Sequence, residues 1–185
     1  MEYCLFCLHK KEIDKYRRDL VNQIYKQFGL KHTKKANNYA HFTLKYKFKA
    51  NSKQLKELEK TLLKFSKIHN KEKIKVGGFD NFHKRVVFVK VSQSPKVKKL
   101  IFDLHKELRK LKWLTWHNNI EGDGIHLHTT ITEESNEKLY PKIMKYLSGK
   151  EKNFDSYFDN VTIMKYSTAK KPKRRCVIAK RYNLQ

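Results

Sequence analysis

Acidic residues are scarce in this 185-residue chain: 18 Asp and Glu stand against 43 Lys and Arg, a formal net charge of +25. A field of that sign disfavours basic partners and favours polyanions, of which nucleic acid is the usual one. Glycine and proline are few, 6 and 3, which excludes collagen-like and Pro/Gly-rich disordered chains. Cysteine is limited to Cys4, Cys7 and Cys176, an odd number with no second metal-type pair. Cys4 and Cys7 form a C-x-x-C inside an apolar run that reads as a strand, where the two thiols face opposite sides and cannot clamp one zinc. No apolar run approaches the ~20 residues that a bilayer span needs, and the N-terminus lacks the basic n-region of a secretory leader. Free thiols together with these absences lead to the expectation of a reducing, cytoplasmic setting with no membrane association.

What is present suffices for a folded core. Hydrophobic residues make up 39% of the chain and aromatics 12%, and the length suits one domain or two small lobes sharing a core. Residues 2–8 read as a central strand, apolar on both faces. Lys11 to Phe28 carries Ile13, Tyr16, Leu20, Ile24 and Phe28 at the spacing of one helix face, ended by Gly29. A strand over 39–49 follows, then a helix capped at Asn51-Ser52 with Leu55, Leu58, Leu62, Leu63 and Phe65 inward. Strands over 74–79 and 86–91 flank an expected turn at Asp80-Asn81, and Ser94-Pro95 opens a helix to Lys110. Another strand over 125–132, a helix over 136–147, and two closing strands over 161–166 and 175–181 complete an α+β order. The second half repeats the last part of the first, a pseudo-duplication.

One short pattern occurs in both halves. His41-Phe42-Thr43-Leu44 and His128-Thr129-Thr130-Ile131 lie 87 residues apart, each at the same step of the repeated unit. On a strand the side chains alternate faces, so each copy presents an imidazole and a hydroxyl together on one side. Two histidines facing each other across a phosphodiester supply what acid–base phosphoester chemistry needs, one proton acceptor and one donor. The threonine hydroxyls can donate to phosphate oxygens as charge develops.

In these residues the chain resembles the two-histidine (2H) phosphoesterase superfamily, and within it the 2′-5′ RNA ligase-like cyclic phosphodiesterases, whose pattern is two H-x-[ST]-hydrophobic motifs on strands at about this separation. The resemblance covers essentially the whole chain, read as one domain over 1–185. It implies a bilobal LigT-like fold, two antiparallel sheets lining a central cleft with helices outside. It also implies RNA-end chemistry without metal or nucleotide cofactor. By the same resemblance His41 is the proton donor to the leaving ribose oxygen and His128 the base that activates water against a 2′,3′-cyclic phosphate, an assignment that depends on substrate orientation. Thr43 and Thr130 hold phosphate oxygens. Water as nucleophile leaves a 2′-phosphate; a ribose 5′-hydroxyl gives a 2′-5′ linkage, reversibly. The implied partner is RNA, cyclic-phosphate-ended oligonucleotides or tRNA fragments included, and the default state is a monomer.

Two features depart from the family pattern. An arginine shortly after the second motif is common there, whereas Thr132-Glu133-Glu134 occupies that stretch here. Phosphate binding must therefore draw on other cations: Lys45, expected on the face of His41 and Thr43, or the basic hairpin that contains Lys173 and Arg174. The second feature is His126, on the face of His128, which invites an H-x-H metal reading. The H-x-T pattern already accounts for His128 and no carboxylate ligand is evident nearby, so a substrate-contacting role for His126 is preferred. Trp113, Trp116 and Tyr166 read first as core aromatics; Tyr166, at the mouth of the basic hairpin, is also the candidate to stack a base. The remaining histidines, His9 and His105 among them, show no spacing logic and are expected at the surface. Two rival readings stay open: a non-catalytic RNA-binding protein that keeps the fold, and a metallohydrolase.

Overall fold

Apolar alternation and helical periodicity divide the chain into elements that arrange as two four-stranded sheets, described in a computed structural model for residues 1–30, 39–117, 125–132, 137–166 and 176–185. Strand β1 (Glu2–Leu8) leads to helix α1 (Lys11–Phe28), β2 (His41–Lys49) and α2 (Ser52–Ile68). The β3–β4 hairpin (Glu72–Phe82, Val86–Val91), α3 (Pro95–Arg109), β5 (His128–Thr130) and α4 (Tyr140–Leu147) follow. β6 (Asn153–Phe158), β7 (Asn160–Tyr166) and β8 (Cys176–Asn183) close the chain. The sheet orders are β2-β1-β7-β8 and β5-β4-β3-β6, antiparallel throughout. Both histidine strands, β2 and β5, are therefore sheet edges, and the two edges approach each other.

Local chemistry sets the helix ends. Gly29 takes the left-handed conformation (φ 66°) that closes α1, its N–H donating to Tyr25 O at 2.9 Å. Asn51 and Gln54 form a reciprocal capping box at α2. The Ser94 hydroxyl accepts from Val97 N–H at 3.2 Å, with Pro95 in the first turn of α3.

One continuous core spans both sheets. Ile13, Leu20 and Ile24 of α1 are buried in it, and burying each such side chain is worth about 1.5–3 kcal/mol. Although α1 follows β1 in the chain, it packs beside the second sheet. Tyr16 meets Phe154 of β6 at 5.3 Å between ring centroids, and Phe28 meets Tyr146 of α4 at 5.6 Å. This crossing carries α1 over the junction of the two edge strands. The smaller cluster of Cys4, Phe6, Leu8, Met164 and Cys176 lies on the other face of the first sheet. Cys4 and Cys7 thus point to opposite faces, as strand alternation requires.

Several boundaries differ from the sequence reading. β3 runs on through Asp80 and Asn81 to Phe82, and the turn is made by His83 and Lys84, both at positive φ (50° and 56°); paired left-handed residues match the twist of a tight hairpin. Strand β6 was not expected, because Asn153, Asp155 and Ser156 dilute its β-formers; Phe154 and Phe158 alternate to the inside, and it pairs along β3. β5 shrinks to three residues because the amides of Ile131 and Thr132 both turn onto Val87 O, at 2.8 and 3.0 Å. α4 starts at Tyr140, with Pro141 in its first turn. Leu63 of α2 is 47% exposed rather than inward.

Candidate active site

Each motif histidine is the first residue of its strand, and each uses the same backbone contact. His41 Nδ1 lies 2.6 Å from Tyr39 O, and His128 Nδ1 lies 2.7 Å from His126 O. A carbonyl can only accept, so Nδ1 carries the hydrogen in both rings and Nε2 is the basic nitrogen. The phenylalanine placed opposite each motif threonine repeats too: Phe6 pairs with Thr43 across β1–β2, and Phe88 with Thr130 across β4–β5. Phe6 stacks on His41 at 3.6 Å and 11° between planes. Phe88 lies 5.0 Å from His128, and Phe82 meets that ring edge-on at 4.8 Å. The duplication therefore extends to a third residue, on the neighbouring strand, that braces the imidazole.

Alternation along the two strands follows from the packing. Phe42, Leu44, Thr129 and Ile131 are buried, while His41, Thr43, His128 and Thr130 keep accessible edges. His126 is exposed, its ring 6.2 Å from that of His128. Its carbonyl, rather than its side chain, is what orients His128.

Two groups from elsewhere in the chain enter this junction. Arg17 of α1, only 5% exposed, donates from Nε to Thr130 O at 2.9 Å. His9, beyond the end of β1, is hydrogen-bonded through Nε2 to Thr129 Oγ1 at 2.7 Å and packs edge-on against Phe42. Burial pushes the His9 pKa down to about 4. The dense surroundings of His41 push it down to about 3; the Tyr39 carbonyl works the other way, and the charges of Arg17, His9 and His128 add to the depression. Burial also lowers His128, against the pull of the His126 carbonyl and with the repulsion of the His126 ring. Both catalytic candidates are thus neutral imidazoles in the free site at neutral pH.

The sequence reading missed Arg17 and placed His9 and His105 at the surface. Arg17 and His105 are buried and His9 is half-buried; the His105 ring donates from Nε2 to Leu44 O at 2.8 Å behind the first motif. The available signal was position: Arg17 lies one residue past Tyr16 on the inward face of α1, where a charged group needs partners.

Lys45 is also corrected. The β1–β2 register pairs Tyr3 with Phe48, Leu5 with Lys45 and Phe6 with Thr43, with an irregularity on either side of Leu5. The first bulge turns Lys45 to the core face and the second restores the alternation. Lys45 is 0% exposed, its amine 4.9 Å over the Trp116 ring. Lys47 takes the face of His41 and Thr43 instead, its amine 4.3 Å over the ring of Tyr166. Tyr166 is half-buried against the Cys4–Cys176 cluster. Lys173 and Arg174 lie outside the described residues. Among the described residues no group of three or more His, Cys, Asp or Glu side chains is placed to hold a metal ion.

The architecture is similar to that of solved structures at low identity. E. coli LigT complexed with 3′-AMP superposes with a TM-score of 0.69 at 14% identity, over 99% of this chain and 97% of that one. A second structure, described as a phosphoesterase, gives 0.67 at 13% identity, over 99% and 97%. A protein of Thermus thermophilus gives 0.60 at 12%, over 100% and 98%. No curated protein matches the chain by sequence. The model of the 2′-5′ RNA ligase superfamily matches residues 8–170, a span that contains Arg17, both histidine strands and the bracing Phe88, and the chain belongs to that superfamily.

Proposed function

We propose that this chain is an RNA phosphodiesterase that hydrolyses 2′,3′-cyclic phosphate ends to 2′-phosphates, with His41 and His128 as its acid–base pair. The carrying observation is the duplicated setting of the two rings, each with Nδ1 held by the carbonyl two residues back and Nε2 left as the reactive nitrogen. Membership of the superfamily supports phosphoester chemistry. Structures of the LigT neighbour with 3′-AMP, NADP+, ATP and phosphate support a phosphate-bearing nucleotide as ligand.

In the reaction, His128 Nε2 takes a proton from water as its oxygen attacks phosphorus. The bond from phosphorus to the ribose 3′-oxygen breaks, and His41 Nε2–H delivers a proton to that oxygen. Thr43 and Thr130 hydrogen-bond the non-bridging oxygens. Arg17 and Lys47 supply the positive charge that the missing arginine would otherwise contribute, and Arg17 also positions the Thr130 backbone. An acid with its pKa depressed to about 3 carries no proton at neutral pH; the arriving phosphate anion offsets Arg17 and raises it. The same geometry with a 5′-hydroxyl nucleophile forms a 2′-5′ bond. The two lobes act as one catalytic domain, monomeric and cytoplasmic, on RNA drawn in by the +25 charge. His126 contacts the ribose or base edge, and Tyr166, Lys173 and Arg174 are further RNA-binding residues.

The test is incubation with RNA ending in 2′,3′-cyclic phosphate in the presence of EDTA, with the product phosphate position assigned. A 2′-phosphate product that His41→Ala and His128→Ala each abolish supports the reading. Chelator-sensitive turnover sinks it in favour of a metallohydrolase. Tight binding without turnover, unchanged in both variants, sinks it in favour of a binding protein.

A further inference from the structure

Helix α3 buries Val97, Leu100, Ile101, Leu104, His105 and Leu108 and turns a different stripe outward. Lys98, Phe102, Lys106 and Arg109 recur at intervals of four, four and three residues, one line along the helix of about 16 Å at 1.5 Å per residue. Phe102 is 57% exposed, the most exposed aromatic side chain among the described residues. Phe102 belongs to neither core cluster. The stripe forms one wall of a groove of about 570 Å³, with Gln93 and Ile125 on the other side and no carboxylate among the described residues that line it. Lys99, which also lines the groove, is paired with Asp103, Nζ to Oδ2 at 2.7 Å, whereas Lys98 and Lys106 have no ion-pair partner among the described residues. Arg109 is held with its guanidinium 4.2 Å over Trp116.

The rim of the groove leads toward the second histidine strand. Gln93 Nε2 donates to Ile125 O at 3.0 Å, pinning the rim. Ile125 stands three residues before His128, so their Cα atoms are at most about 11 Å apart. His126, between them in sequence, is exposed, its ring 6.2 Å from that of His128. Cations alternating with an accessible aromatic face fit a single-stranded nucleic acid, with phosphates on the lysines and arginine and a base on the phenyl ring. We infer that this α3 groove is a secondary binding track for single-stranded RNA, holding nucleotides upstream of the reacting end.

The inference rests on the reading of the chain as an RNA enzyme, and the experiment separates the two. Binding of a 12-nucleotide RNA is measured by fluorescence anisotropy against salt, and turnover is measured on both a cyclic-ended 12-mer and a 2′,3′-cyclic mononucleotide. Phe102→Ala should weaken 12-mer binding about 5- to 100-fold. The pair Lys98→Glu and Lys106→Glu should lower the salt slope by about 1.4, at about 0.7 per phosphate on a single strand. Each should raise KM for the 12-mer and leave turnover of the mononucleotide unchanged. Loss of 12-mer binding in a protein that turns over no cyclic phosphate would uphold the track and reject the enzyme. Normal mononucleotide turnover with 12-mer binding untouched by the variants would overturn the track alone. So would an equal loss on both substrates, or variants that weaken binding of polyglutamate but not of RNA, which would make the groove a protein site.

Discussion

The two histidine strands share their local frame but not their surroundings. β2 is a nine-residue edge with two bulges, and its histidine lies flat on Phe6 with Arg17 and His9 close by. β5 is a three-residue edge whose histidine stands in an open aromatic corner of Phe82, Phe88 and the exposed His126. Repetition of the motif thus fixes which nitrogen is left basic, while the non-repeated neighbours fix how easily each ring takes a proton. His41, next to a buried guanidinium, is the harder of the two to protonate. Its assignment as the acid depends on the charge of the bound phosphate.

The largest effect breaks the comparison outright. His41→Ala and His128→Ala should each cost about 10²- to 10⁴-fold in kcat/KM. A cyclic substrate with sulfur in place of the 3′-bridging oxygen separates the roles, because a thiolate leaves without a proton. That substrate should restore the turnover of His41→Ala and not of His128→Ala; the opposite pattern would exchange acid and base.

Next is Arg17, the asymmetric charge. Arg17→Gln should lower kcat/KM for the cyclic-ended RNA about 10²-fold, the loss seen when a preorganised donor is removed from developing charge. The sign on pH is set by the same cation. Its charge depresses His41, so removing it raises that pKa, and whatever limb of the pH–rate profile belongs to His41 should move to higher pH. A rate loss with an unmoved profile would make Arg17 a prop for β5 and no more.

How far the sequence reaches can be judged from these same residues. The elements governed by neighbours in the chain were legible: β1 by its apolar run, α1 by its periodicity and Gly29, α3 by Ser94-Pro95. The motif histidines and threonines were legible because strand alternation needs only adjacent residues. Arg17, His9 and Phe88 were not, since the first two meet the site through contacts made 113 and 120 positions away in the chain and the third from a neighbouring strand. Lys45 was misplaced because bulges are set by the pairing of β1 with β2, not by the β2 sequence. The turn at His83-Lys84 was hidden by Asp80-Asn81, whose polar side chains serve the hairpin from within the strand: Asn81 Oδ1 accepts from Lys84 N–H at 2.8 Å.

His9 gives a smaller, pH-dependent effect that sharpens the difference in burial. Its folded pKa of about 4 lies below the ordinary 6.5, so the unfolded chain takes up a proton that the folded one refuses. The stabilisation is complete above pH 6.5 and is lost as pH falls toward 4, about 3 kcal/mol for this group. His41 adds to the same slope. Denaturation midpoints from pH 7 to 4 should fall steeply in the native chain and less steeply in His9→Gln, while its activity on cyclic-ended RNA at pH 7 stays within a few-fold. Equal slopes would mean that His9 is protonated and paired in the fold.

The smallest effect distinguishes two lysines two positions apart on β2. Lys47, on the face of His41 beside Tyr166, should act on substrate; Lys47→Ala should raise KM several-fold, with kcat and melting temperature little changed, as expected for loss of an exposed charge–phosphate contact. Lys45, fully buried against Trp116 and Phe48, should act on the fold. Lys45→Ala removes a packed four-carbon stem and leaves a cavity, which costs about 2–5 kcal/mol for side chains of comparable size, with KM unchanged in the fraction that folds. If Lys45→Ala instead raised KM at constant melting temperature, the two bulges would not be holding in solution, and β2 would present the uninterrupted alternation that its sequence alone suggests.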